Sequence, residues 1–126
     1  SNDVDAILVF IGTNDFNAGV PIGEWFTENT EQVMAARGEP KKLVKLKRRK
    51  LIMDDKTYKG RINIGIDCLK RLFPDKQIVL LTPMHRSLAD FGEKNLQPDE
   101  SYQNDCGEYI DAYVSAVKYG EFLLSI

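Results

Sequence analysis

Residues 7–16 read "ILVFIGTNDF": five apolar side chains in succession, then Gly12 and Thr13, then the polar pair Asn14 and Asp15. An unbroken apolar run rich in β-branched and aromatic residues suits a strand buried on both faces of a parallel sheet. "KQIVLLT" at 76–82 has the same character, and "GEFLLSI" at 120–126 is a third such run. Three runs without alternation predict a covered parallel sheet rather than an antiparallel sandwich.

Two amphipathic segments separate these runs. In "DDKTYKGRINIGIDCLKRLFP", Tyr58, Ile62, Ile66, Leu69 and Phe73 fall on one helical stripe that stops at Pro74, with Asp54 and Asp55 as candidate N-terminal caps. Gly60 and Gly65 each lower helix propensity by ~1 kcal/mol relative to Ala, so fraying is expected in the first turn. In "DESYQNDCGEYIDAYVSAVKYG", Ile110, Tyr113, Val114 and Val117 recur at i, i+3, i+4 and i+7. Asp105 and Glu108 have capping-box spacing there, and Gly120 is the expected stop. The order strand, long excursion, helix, strand, loop, helix, strand predicts right-handed βαβ crossovers in a single α/β domain over 1–126.

The excursion after Asn17 is too long for a plain connection and is expected to hold an irregular insertion at about 27–53. "TENTEQVMAARG" at 27–38 reads as a short helix ending at Gly38. "KKLVKLKRRKLIM" at 41–53 carries seven Lys or Arg among thirteen residues, and its apolar positions fit neither the helical nor the strand period. A solvated basic face is the expectation for it, ahead of an anion or nucleic-acid site.

The chain has 126 residues, 43% apolar and 29% charged, with a formal net charge of −2. These values describe one globular core and give no overall electrostatic cause to bind nucleic acid. Cys68 and Cys106 lack the spacing of a zinc site, no metal or other cofactor is implied, and no apolar run reaches the ~20 residues of a membrane span. The sequence enters a strand almost at once and closes in "EFLLSI" without a cap, so an internal piece of a longer domain is expected.

Ligands of open parallel sheets bind outside the carboxyl ends of the strands, and Gly12, Thr13, Asn14 and Asp15 sit at such an end. Gly12 permits positive φ or close backbone approach, the Asn14 amide can donate to an oxyanion, and Asp15 can hold the turn. Taken alone, the tetrapeptide is also explained as a polar turn. After the second strand run, "LLTPMHR" brings His85, the only histidine, and Arg86 to the corresponding edge. Both are candidate substrate-facing residues, with pairing to a carboxylate the commoner fate of such an arginine. Trp25 offers a wall for a sugar or acyl group, against the commoner role of packing. Ser87, two residues from His85, is too close along one loop to face it as nucleophile and base.

The pair of motifs Gly12-Thr13-Asn14-Asp15 and Thr82-Pro83-Met84-His85-Arg86, each closing a strand, resembles the SGNH hydrolase family, also called GDSL lipases or acylhydrolases. The resemblance covers most of the chain in order and leaves about 27–53 unmatched. It implies a partial flavodoxin-like, three-layer α/β/α fold with parallel strands, truncated at both ends. It also implies serine ester hydrolysis, with Asn14 as the oxyanion-hole side chain and an ester as substrate. The Gly-Asp-Ser block, the glycine block and the Asp-x-x-His block of that family are absent from these residues. The chain by itself is therefore expected to be inactive, and an excised sheet is expected to self-associate or exchange strands. The alternative is a non-catalytic ligand-binding or interaction module on the same layering.

Overall fold

The computed structural model describes residues 3–34, 38, 40 and 42–126. Along the chain lie β1 (Ala6–Phe10), α1 (Thr13–Asn17), β2 (Phe26–Met34), β3 (Leu43–Leu51), α2 (Tyr58–Leu72), β4 (Gln77–Leu81), β5 (Ala89–Asp90), β6 (Leu96–Gln97) and α3 (Ile110–Ser125). β1 and β4 pair in parallel, in register from Ala6 opposite Gln77 to Phe10 opposite Leu81. β2 and β3 form a long antiparallel ribbon, and β5 and β6 a two-residue hairpin.

The core lies on one face of the β1–β4 pair. There Leu80, with Ile78 and Val9 beside it, meets Ile62 and Ile66 of α2 and Ala116, Val117 and Leu123 of α3. Burying these side chains supplies the main stabilisation, since each contributes ~1.5–3 kcal/mol when removed from water. Tyr58 and Tyr113 are the two large side chains sealed completely, their rings 4.9 Å apart. The stripe read at Tyr58, Ile62 and Ile66 is thus the buried face of α2.

The three-layer α/β/α, flavodoxin-like expectation is overturned. Among the described residues the sheets are one parallel pair and two antiparallel pairs, accompanied by three helices in a small α+β arrangement. The physical cause is visible in β1, where burial alternates: Ile7 and Val9 are partly covered, whereas Leu8 and Phe10 are 66% and 53% exposed. Helices cover one face only, and an unbroken apolar run does not by itself reveal whether one face or two are covered.

The third apolar run, expected as a strand at 120–126, continues α3. Short apolar runs fit either element, and here Ala116, Val117, Gly120 and Leu123 lie on the buried helical stripe. Gly120 is not a stop. It sits inside the helix where an added Cβ would stand 3.1 Å from Leu80 Cδ1 and 3.3 Å from Ile62 Cγ2, so its missing side chain lets α3 approach α2 and β4. The expected capping box does not form either. Asn104 Oδ1 instead accepts from the backbone N–H groups of Cys106 and Glu108 ahead of the helix.

The expected helix at 27–38 is strand as far as Met34, and residues 35–37 lie outside the described residues. The irregular insertion at 27–53 is, where described, the regular ribbon β2–β3 with nine paired positions. A long cross-strand ladder outweighs weak local helix propensity. Both faces of the ribbon are largely in water, so no core imposes period 2 on "LVKLKRRKL", which explains why its apolar pattern fitted no template.

Candidate functional site

Gly12 joins three elements. It follows β1 with φ at +125°, a backbone state that L side chains rarely adopt, and it starts α1. A Cβ there would lie 2.6 Å from Tyr58 Oη and 2.7 Å from Pro83 Cγ, so the end of β1, the first turn of α2 and the Thr82-Pro83 loop meet at this residue. The parallel register makes this legible: Gly12 and Pro83 each lie two residues past the last pair, Phe10 and Leu81. Asn14 and His85 each lie four past it.

The turn after Gly12 is fixed by backbone bonds from Phe16 N–H to Gly12 O (2.9 Å), Ala18 N–H to Asn14 O (2.9 Å) and Val20 N–H to Asp15 O (2.9 Å). Phe16 is buried edge-on against Tyr113, with centroids 5.6 Å apart. Asp15 accepts a 2.7 Å bond from Arg61 Nη1 and so ties α1 to α2. This guanidinium is the partner through which Asp15 holds the turn. Behind the turn, the Tyr58 hydroxyl donates to Ile11 O at 3.3 Å. Burial first, then the nearby Asp15 charge, holds that phenol well above its ordinary ionisation range, so it remains a donor.

Asn14 differs from its neighbours. Asp15, Phe16 and Asn17 are each engaged, whereas the exposed Asn14 amide has no side-chain hydrogen-bond partner among the described residues. It lines an open pocket of about 220 Å³ with Phe10, Ile11, Gly12, Thr13 and Asp15.

On the other loop, His85 Nδ1 meets the Glu100 carboxylate at 2.8 Å and 3.1 Å, and the ring is 95% exposed. Its partner is a carboxylate and not a hydroxyl; Ser87 contributes its carbonyl to Gln97 Nε2. Glu100 lies fifteen residues beyond His85 and carried no spacing cue in the sequence. The pair borders a groove of about 580 Å³ formed by Thr82, Pro83, Met84, Ile110, Val114 and Lys118, among others.

Among the described residues Arg86 meets no carboxylate, contrary to the expected pairing. Its Nη1 donates to Asn17 Oδ1 (2.7 Å), its Nη2 donates to Gln97 Oε1 (2.9 Å), and the guanidinium lies 4.8 Å over the Phe16 ring. Nε is buried without a partner. The cation is therefore held by amide dipoles and an aromatic face.

Trp25 belongs to the core, 8% exposed and stacked 5.0 Å from Tyr119, with the Lys59 ammonium 5.5 Å over its ring. It stands at the root of the ribbon and lines a different groove from that of Asn14. Asn63, which the sequence did not single out, is buried at 2% exposure and donates from Nδ2 to Trp25 O (3.1 Å) and Ile52 O (2.9 Å). It pins both strands of the ribbon where they leave the body. Among the described residues no three His, Cys, Asp or Glu side chains gather as a metal would require, and no helix is long and apolar enough to cross a membrane.

No family model matches the chain, and no curated protein matches it. A solved crystal structure is similar over 100% of this chain with a TM-score of 0.67 and 23% sequence identity. This chain spans 45% of the length of that one, and a likeness at this identity speaks to the fold alone.

Proposed function

We propose that this chain supplies the oxyanion-binding segment of a serine ester hydrolase of the SGNH type, with Asn14 as the donor. One observation carries the reading: the Asn14 amide is exposed and has no partner among the described residues, while the residues around it are fixed by Gly12, Asp15–Arg61 and Asn17–Arg86. An oxyanion hole requires such a donor, held rigidly and left unpaired until charge develops on the substrate oxygen. As the ester carbonyl becomes tetrahedral, Nδ2–H donates to the forming O⁻. In this reading the serine and histidine blocks come from sequence beyond these 126 residues, and the chain alone turns over no ester.

The test uses the full-length protein. A tetrahedral phosphonate analogue places its oxygen where the oxyanion forms, so Asn14→Ala weakens its binding by ~10²-fold while a planar ester substrate loses little. Equal weakening of both ligands refutes the role. A full-length sequence without Gly-Asp-Ser upstream and Asp-x-x-His downstream favours the second reading, a non-catalytic interaction module. The exposed basic ribbon is the observation on that side.

A further inference from the structure

We propose that the ribbon β2–β3 is a docking arm for a second copy of this chain, seated on the acidic stretch that leads into α3. The inference is independent of the catalytic reading.

Charge is divided unequally in this sequence. Residues 26–51 hold eight Lys or Arg against three Asp or Glu, and the rest of the chain holds nine against sixteen. The arm is therefore +5 and the remainder −7. Within the remainder, residues 95–117 contain Asp99, Glu100, Asp105, Glu108 and Asp111 and not one Lys or Arg.

Among the described residues the arm forms two ion pairs, Arg48–Glu31 and Arg49–Glu28, both 3.4 Å long and exposed, and Lys45 and Lys47, on one face, take part in none. On the acidic stretch, Asp105, Glu108 and Asp111 likewise form no ion pair among the described residues. Exposed surface pairs contribute little singly, but two unpaired blocks of opposite sign meet with several charges at once.

Apolar exposure indicates that the arm is an interaction surface and not only a solubilising one. Met34 and Leu43 are 56% and 62% exposed at its distal end, on the face that carries Lys45 and Lys47. A two-stranded ribbon is marginal by itself, and its outer edges present unpaired backbone groups. Three occupants fit an exposed basic ribbon, and charge separates them. Two arms packed on each other would bring +5 against +5. A polyanion such as nucleic acid would meet a body of −7 beside the arm. A second copy meets the arm with the charge it lacks.

The geometry permits reciprocity. Arg49 and Phe26 at the arm's root line one groove with Glu108 and Ala112, so arm and acidic stretch are adjacent on each copy. A two-fold axis near that groove sends each arm over its partner's acidic stretch. Nine paired residues at ~3.3 Å rise and ~4.8 Å strand spacing give a face of roughly 300 Å². Two arms, each covering an equal area, bury roughly 1,200 Å² in all, at the lower limit of stable interfaces. A moderate, salt-sensitive dimer follows.

The experiment is sedimentation velocity of the full-length protein over a concentration series at low and high salt, with charge variants. The expected result is a dimer that weakens on the order of tenfold between 50 and 500 mM NaCl. K45E/K47E, and separately D105K/E108K, are each expected to remain monomeric, and mixing the two variants restores a heterodimer. Circular dichroism confirms folding, and the mixed sample reports on docking even where one variant is less stable alone. A monomer at every concentration, a dimer indifferent to arm reversal, or no recovery on mixing overturns the proposal. Heparin retention that is lost in K45E/K47E while assembly stays unchanged assigns the arm to polyanions and also overturns it.

Discussion

Two glycines five residues apart in α2 respond oppositely to the same substitution. At Gly65 an added methyl meets nothing within 4 Å, and it faces an apolar pocket of about 40 Å³ lined by Val9, Ile66, Leu80 and Val117 among others. Replacing an interior helical glycine by alanine there gains ~0.5–1 kcal/mol. At Gly60 the methyl would stand 2.5 Å from Asp54 O and 2.5 Å from Asp54 Oδ1. Asp54 cannot retreat easily, because Oδ1 accepts bonds from Lys56 N–H, Thr57 N–H and the Thr57 hydroxyl, and that hydroxyl in turn caps α2 at Gly60 N–H. Overpacking against such fixed atoms costs ~3 kcal/mol at the upper end, offset by ~1 kcal/mol of propensity, for a net loss of ~2 kcal/mol. With a urea slope of ~2 kcal/mol/M, the denaturation midpoint falls by ~1 M for Gly60→Ala and rises by ~0.4 M for Gly65→Ala. An unchanged or raised midpoint for Gly60→Ala refutes the contact account of this turn, which also carries Tyr58 and Arg61 to the site.

Asn63 at the arm's root gives a second test by denaturation. Asn63→Ala leaves Ile52 O unpaired but also removes the unpaired Asn63 Oδ1, so the loss is held to ~1–2 kcal/mol. Asn63→Asp turns a carboxylate toward two carbonyls and costs more than the alanine change at neutral pH, and the reverse ranking contradicts the bonding described. Alkaline titration followed by ultraviolet absorbance gives a third. Burial raises the ionisation of Tyr58 and Tyr113 above the ordinary phenol value of ~10, so two of the five tyrosines stay protonated in the fold where the unfolded chain would ionise. The native chain binds more protons there, so stability is intact below pH ~10 and falls as pH rises through the raised native values. Ionisation of all five below pH 11 without unfolding would contradict their burial.

What the sequence disclosed followed from where a core imposes a period. Tyr58, Ile62 and Ile66 were legible because one face of α2 is buried, and β1 and β4 because their runs are short and rich in β-branched residues. The number of covered faces was not legible, since alternation in β1 is between Ile, Leu, Val and Phe, all of them apolar. The ribbon was missed because its partners are seventeen to twenty-five residues apart at most paired positions and its surfaces face water, so neither local propensity nor a core face announced it. At the site, Gly12 and Asn14 were readable from their place after a strand. Glu100 beside His85 and Arg61 beside Asp15 come from distant sequence and are fixed only by tertiary packing.

The central claim is that Asn14 is an oxyanion donor left free on a fixed backbone turn. Steady-state ester hydrolysis by the full-length protein tests it most directly, comparing Asn14→Ala with the unsubstituted chain. Because the amide has no partner among the described residues, the substitution leaves the denaturation midpoint unchanged. It lowers kcat by ~10²- to 10³-fold, or ~2.7–4 kcal/mol of transition-state stabilisation, with little change in KM. An unaltered kcat in a folded Asn14→Ala enzyme contradicts the account.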